Sequence, residues 1–373
     1  MRIALKELRR QPGRFASVGG ALTLLVVLLV VLGGFLDGLQ LGQTGAYRAH
    51  EGRLLVFSDD SDLLIQRSRL DGEATSSIEA TDQVAAVGEL RFIETTAGIG
   101  GDGGTGANET ESRDLVDVVL IGYDLGTNMV PVPPGPGETV VDQALAELHD
   151  VAVGDTIRIG PTSEPLDVVE LVDDVSQGSP TLWVPTESWL QLVAAGNPSE
   201  LPPEGVSQAL VVELDDGAEP TTVTEQLGST PGVEVASVSD VIDALPVVQQ
   251  QSTVFQGIIG VTFVVTLLVV ALFFALITLE RVELYAVLKA LGARTVDLVS
   301  GITAQAVVVS IVALIGGLAL STLFVSLLPA DLPVRIEPSR LVQVGVGILL
   351  TAVIGSLFTL RRILGIDPAE AIG

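Results

Sequence analysis

Cysteine is absent from this chain of 373 residues, Lys and His occur twice each, and aromatic residues make up only 4% of it. Without cysteine there is neither a disulfide nor a thiolate metal site, so every folded part must stand on its own hydrophobic core. His50 and His149 are isolated in the sequence, which argues against a histidine-rich metal centre or a His-based triad. No G-x-x-x-x-G-K-[ST] stretch occurs, so the chain does not hydrolyse ATP through a P-loop. Basic side chains are scarcest between residues 41 and 252, where 37 Asp and Glu face 7 Arg and no Lys, a net of −30. A surface of that sign does not attract nucleic acid, whose phosphates call for basic groups.

What is present is sharply sorted. Residues 1–14 hold Arg2, Lys6, Arg9, Arg10 and Arg14 against Glu7, and residues 15–36 carry no charge. A run of that length crosses a bilayer core of roughly 30 Å at about 1.5 Å per residue. It is longer than the apolar region of a signal peptide, and no A-x-A-like cleavage site follows it, so it reads as a retained span. Three later charge-poor runs, 254–279, 298–328 and 341–360, complete a set of four spans. The basic start and the acidic 41–252 segment place both termini in the cytoplasm and the large segment outside. Segments 280–297 and 361–373 then lie inside, where Arg281, Lys289, Arg294, Arg361 and Arg362 fit. Arg335 and Arg340, on the short outer loop, run against the rule. The lack of Lys outside, with so many carboxylates, points to a protein of strong brine, where salt screens self-repulsion. The isolated 41–252 domain is accordingly expected to melt at lower temperature as KCl is withdrawn. A melting point unchanged down to low salt would remove that reading.

The 41–252 segment alternates strand and helix signals. Residues 54–57, 116–121, 156–159, 166–172, 181–184 and 209–214 read as strands, and 76–84, 142–148, 187–194 and 219–227 as short helices. Thr186 is placed as the N-cap of the third helix, with Trp189 and Leu192 on its buried side. The fold class is therefore an α+β membrane protein: one span, a large α+β domain, then three spans. Gly98, Gly100 and Gly103 spell G-x-G-x-x-G, but glycine-rich coil and then Glu109 and Glu111 follow, so residues 98–108 read as a loop. Asn108 opens an N-x-T sequon and is a candidate glycosylation site. Asp59, Asp60 and Asp62 lack the Gly and terminal Glu of a calcium loop and read as a solvated turn.

On the inner loop, Leu284, Val287, Leu288 and Leu291 recur at helical spacing beside Arg281, Glu283 and Lys289, with Gly292 placed to end the helix. Such a helix either lies on the membrane surface or docks into a cytoplasmic partner; periodicity leaves both open. The stretch "ERVELYAVLKALGARTVDLV" that contains it resembles the ATPase-contacting loop of the MacB/FtsX-like permease subunits of ABC transporters, relatives of the lipoprotein-releasing permeases. "ALKELRRQPGRF" is similar to that family's cytoplasmic lead-in helix, and "RRILGIDPAEAI" to its terminal signature. "GETVVDQALAELHDVAVGDTIRIG" and "TLWVPTESWLQLV" resemble its extracytoplasmic core domain.

The resemblance implies a permease that dimerises with a second copy or a paralogue and works with separate ATPase subunits. Those subunits, and not this chain, would hold ATP and Mg. Glu283, Leu284, Val287, Leu288, Lys289 and Gly292 would form the coupling loop. The core domain would have a membrane-proximal lobe, 41–111 with 206–251, and an inserted lobe, 112–205. An extracytoplasmic adaptor or substrate-binding protein is a further partner the family suggests. Two functions follow: export or release of a substrate, or FtsX-type transmission of force to an extracellular enzyme without transport. A domain of some 210 residues is larger than a minimal regulator needs, which favours transport.

Overall fold

The computed structural model describes residues 12–99, 114–160, 164–196, 198–280, 282–292, 294–329 and 332–358. The chain divides into two compact units, residues 1–39 with 251–373, and residues 40–250. Asn108 and most of residues 1–14 and 361–373 lie outside the described residues.

The first unit holds four helices long and apolar enough to cross a membrane. They belong to α1 (Pro12–Arg48), α7 (Pro246–Glu280), α9 (Thr295–Val325) and α10 (Pro338–Leu357), with the short α8 (Val282–Ala290) between the second and third. One part of the core joins Val18 and Leu22 of α1 to Phe274, Ile277, Ile302 and Ala306. Another joins Val26, Leu29 and Val30 to Val344 and Ile348.

Helix α1 does not stop at Asp37, where its charge-free run ends. It passes through Asp37, whose carboxylate accepts two hydrogen bonds from Arg340 at the start of α10: Nη2 to Oδ1 at 2.5 Å and Nε to Oδ2 at 3.1 Å. Asp37 is only 9% exposed. The backbone before α10 runs along the same face of α1. Arg335 donates its N–H to the carbonyl of Gly34 at 2.9 Å, and a Cβ at Gly38 would stand 2.0 Å from the Pro333 carbonyl oxygen. Arg340, which ran against the expected charge rule, is one half of a bidentate pair with Asp37.

The second unit is built on a nine-stranded sheet. Its strands are β1 (Leu54–Ser58), β2 (Val84–Ile99), β3 (Asp114–Tyr123), β4 (Glu138–Asp142), β5 (Thr156–Ile159), β6 (Leu166–Val172), β7 (Thr181–Pro185), β8 (Ala209–Leu214) and β9 (Val233–Ser237). Helices α2 (Gly72–Glu79), α3 (Gln143–His149), α4 (Thr186–Gly196), α5 (Pro220–Leu227) and α6 (Val238–Ala244) fill the connections. The order is β3-β7-β4-β6-β5-β2-β8-β1-β9, and β3 also pairs with β2, so six strands close a ring from which β8, β1 and β9 extend. The strands of both expected lobes thus share one sheet, with β2 common to the ring and the extension.

The middle strands are buried on both faces. Val119, Ile121 and Trp183 face a core that includes Tyr47, Phe57 and Val241, while Val118, Leu120 and Leu182 face one that includes Leu145, Ile157 and Trp189. Strand β2 changes core along its length. Leu90 and Phe92 belong to the first, Ala97 and Ile99 to the second. Gly98 is paired inside this strand, with Leu115 on one side and Arg158 on the other, so the strand replaces the start of the expected 98–108 loop. Thr186 is the first residue of α4 and not its N-cap: its hydroxyl is buried without a partner. The helix is anchored instead by Trp189, which is 1% exposed and donates its indole N–H to the Leu120 carbonyl at 3.0 Å.

Candidate functional site

Two regions are candidates, one in each unit. In the helical unit it is α8 and the turn after it. The helix ends at a glycine because the chain must turn sharply there: Gly292 has φ +91 and donates its N–H to the Lys289 carbonyl at 3.0 Å. Glu283 is exposed, as are Leu284 at 50%, Val287 at 46% and Leu291 at 79%. These three apolar side chains fall at i, i+3 and i+7, on one face. Leu288 stands apart from them. It is half-buried and packs against the core formed by Val18, Phe274 and Ile302, while Ala286 is fully buried. The stripe read from the sequence therefore divides, with Leu288 holding the helix to the bundle and the other three presented outward. Lys289 is half-buried.

In the sheet unit, the loop after β6 packs against residues 42–45, the part of α1 that belongs to this unit. Gly45 donates to the Ser176 carbonyl and Gly178 to the Gly42 carbonyl, each at 2.9 Å. A Cβ at Gly45 would lie 2.3 Å from the Asp174 oxygen, so only glycine admits this approach. The loop is fixed from below by Asp142, 1% exposed, which accepts the Ser176 hydroxyl, the Ala144 N–H at 3.0 Å and the Thr181 N–H at 3.4 Å. Burial pushes the Asp142 carboxyl above its usual range, and these donors oppose that shift. His50 is fully buried with neither ring nitrogen hydrogen-bonded, and burial, with Arg53 nearby, lowers its pKa to about 3. It is a neutral core residue beside Trp183. Asp62 pairs with Arg67 at 2.6 Å, and Asp59 and Asp60 are exposed, as a solvated turn requires.

The same unit holds a cleft of about 980 Å³, lined among others by Phe92, Glu94, Trp189, Leu201 and Gln208. Nothing in the linear pattern marked these residues as neighbours, since they come from β2, α4 and the segment before β8. The signal that could have found them is the polar interruption of β2 at Glu94, Thr95 and Thr96, between the buried residues 90–92 and 97–99.

A family model described as the MacB-like periplasmic core domain matches residues 20–230, and one described as the FtsX-like permease C-terminal matches residues 257–368. A Mycobacterium tuberculosis H37Rv protein described as an uncharacterized ABC transporter permease is 24% identical over 354 residues, covering 93% of this chain and 95% of the relative. A Staphylococcus haemolyticus protein, HrtB, whose description puts it forward as a hemin transport system permease, is 26% identical over 149 residues, 40% of this chain and 42% of its own. Among solved structures, the periplasmic region of MacB from Actinobacillus actinomycetemcomitans is similar at a TM-score of 0.36 and 12% identity, covering 52% of this chain and 92% of that one. One model spans more than half of the chain, through the first span and most of the sheet unit, and the other spans the last three long helices: the chain belongs to the MacB/FtsX-like permeases of ABC transporters.

Proposed function

We propose that this chain is the non-catalytic membrane subunit of an ABC transporter, coupling ATP hydrolysis on separate ATPase subunits to motion of its sheet unit for export or release of a substrate. The observation that carries the reading is the exposed face of α8, where Leu284, Val287 and Leu291 are presented from a short helix between two spans. An apolar face held outward by a half-buried anchor suits a protein partner. The family adds the expectation that this partner is the ATPase and that a second permease, identical or paralogous, completes the assembly. Transport is favoured over force transmission to an extracellular enzyme by the transport descriptions of the staphylococcal relatives.

The basic residues 1–14 and the acidic residues 41–252 support cytoplasmic termini, with the sheet unit outside. Extraction in mild detergent should retain an ATPase with the chain, and purification that repeatedly yields the permease alone would overturn the coupling. In the same cells, an impermeant thiol reagent should label Ser77→Cys, on the exposed face of α2, and spare Gly373→Cys. Labelling of the carboxyl-terminal cysteine would overturn the orientation.

A further inference from the structure

Strand β2 meets two partners in succession along one edge. β8 pairs with it from Val84 to Leu90 and β5 from Ala97 to Ile99, so among the described residues no strand pairs with 91–96 on that side. The other edge is covered by β3 without a break from Leu90 to Ile99. Opposite Glu94 stands Val119, which donates its N–H to the Pro180 carbonyl at 2.9 Å, on the β7 side. In an antiparallel ladder a residue turns both backbone groups the same way, so Glu94 and Val119 form a non-hydrogen-bonded pair. Glu94 therefore points its N–H and its C=O away from β3, into the gap.

The flanking positions on this edge are already capped. The Gln208 side-chain amide accepts the Phe92 N–H at 2.7 Å and donates to the Phe92 carbonyl at 3.2 Å, copying a strand residue. Gly160 donates its N–H to the Thr96 carbonyl at 3.2 Å. Among the described residues, Glu94 alone between these caps has no partner for the backbone groups on this side, and it is exposed. The opening faces the cleft of about 980 Å³, near the upper end of the range for ligand sites. Phe92, Ile93, Trp189 and Leu201 supply apolar walls. Glu94 and Glu200 line it against Arg69, whose guanidinium already donates to the Gln66 and Ser68 carbonyls.

We infer that the open edge of β2 at Glu94 is a docking site for an extended peptide segment with apolar and basic side chains, held by strand addition. The N–H donor and C=O acceptor of one strand residue are matched by another extended backbone. The apolar walls take its alternate side chains, and two carboxylates against one guanidinium, in a unit of strongly negative charge, favour basic ones. The inference concerns binding alone and does not rest on ATPase coupling, so either can fail without the other.

The test uses the full chain in nanodiscs and a fluorescent decapeptide of alternating Val and Lys, beside the same peptide N-methylated at alternate residues. Methylation removes N–H groups from one edge and leaves the charge unchanged. The unmodified peptide should bind at least tenfold more tightly, and should slow hydrogen exchange in the segment containing residues 92–96. Glu94→Gln, which keeps the backbone groups, should retain most of the binding, whereas Glu94→Pro, which removes the N–H, should lose it. Equal binding of the two peptides, or protection only elsewhere, would reduce the effect to attraction by an acidic surface and overturn the inference. Should Glu94→Pro lower the melting point, the peptide pair and Glu94→Gln still decide.

Discussion

Asp37→Leu is expected to destabilise the helical unit by about 3 kcal/mol, at the lower end of the roughly 3–5 kcal/mol that follows loss of one partner from a buried pair. The lower end applies because the Arg340 side chain is 21% exposed and the Asp37 side chain 10%, so water screens part of the interaction. The loss comes mainly from what remains: a guanidinium held against α1 with two of its donors unmatched. Asp37→Leu/Arg340→Met removes both charges and should recover most of the stability, since an apolar pair of similar volume often replaces a buried ion pair at little cost. Thermal unfolding of the protein in nanodiscs, read for both singles and the double, gives the coupling energy. Strictly additive losses would mean that the pair contributes nothing to the hold between α1 and the segment leading into α10.

Replacing Leu284 and Leu291 together by Glu should abolish retention of the ATPase and remove permease-stimulated hydrolysis. Burying one Leu side chain contributes roughly 1.5–3 kcal/mol, so two contribute about 3–6 kcal/mol, a loss of at least two orders of magnitude in affinity. Both residues are exposed in the permease alone, at 50% and 79%, so the change should leave its own melting point unaltered. Leu288 is the wrong residue for this purpose despite sharing the periodicity. It packs against the bundle core, and Leu288→Glu would disturb the helix whether or not a partner docks. A double variant that still copurifies with the ATPase and still stimulates it would put α8 on the lipid surface and defeat the coupling proposal.

The split within that stripe shows where sequence reading reaches its limit. Helical spacing puts Leu284, Val287, Leu288 and Leu291 near one face, but it carries no information on which part of the face meets the chain's own bundle. The strands divide the same way. β5, β6 and β8 fall at residues 156–159, 166–172 and 209–214, as their β-branched composition indicates. The 16-residue β2 has no legible period, because its buried face switches sides between Phe92 and Ala97 and the two alternations cancel. Reading residues 76–84 as a helix compounded this: the helix starts earlier, at Gly72, where Asp71 caps it through the Ala74 N–H, and Val84 already belongs to β2.

The sequence by itself determined the four apolar helices, the α+β character of the segment between the first two, and the family. These depend on local quantities: the length of an uncharged run, the sign of charge beside it, and short motifs read in order. Only the tertiary structure decided that Asp37 and Arg340 neutralise one another across 303 residues of chain. The same holds for Gly45 admitting the loop at Asp174, and for β2 leaving the edge at Glu94 open between β8 and β5. Each depends on which distant segment arrives at a given face, and that is set by packing of the whole core and not by the residues on either side.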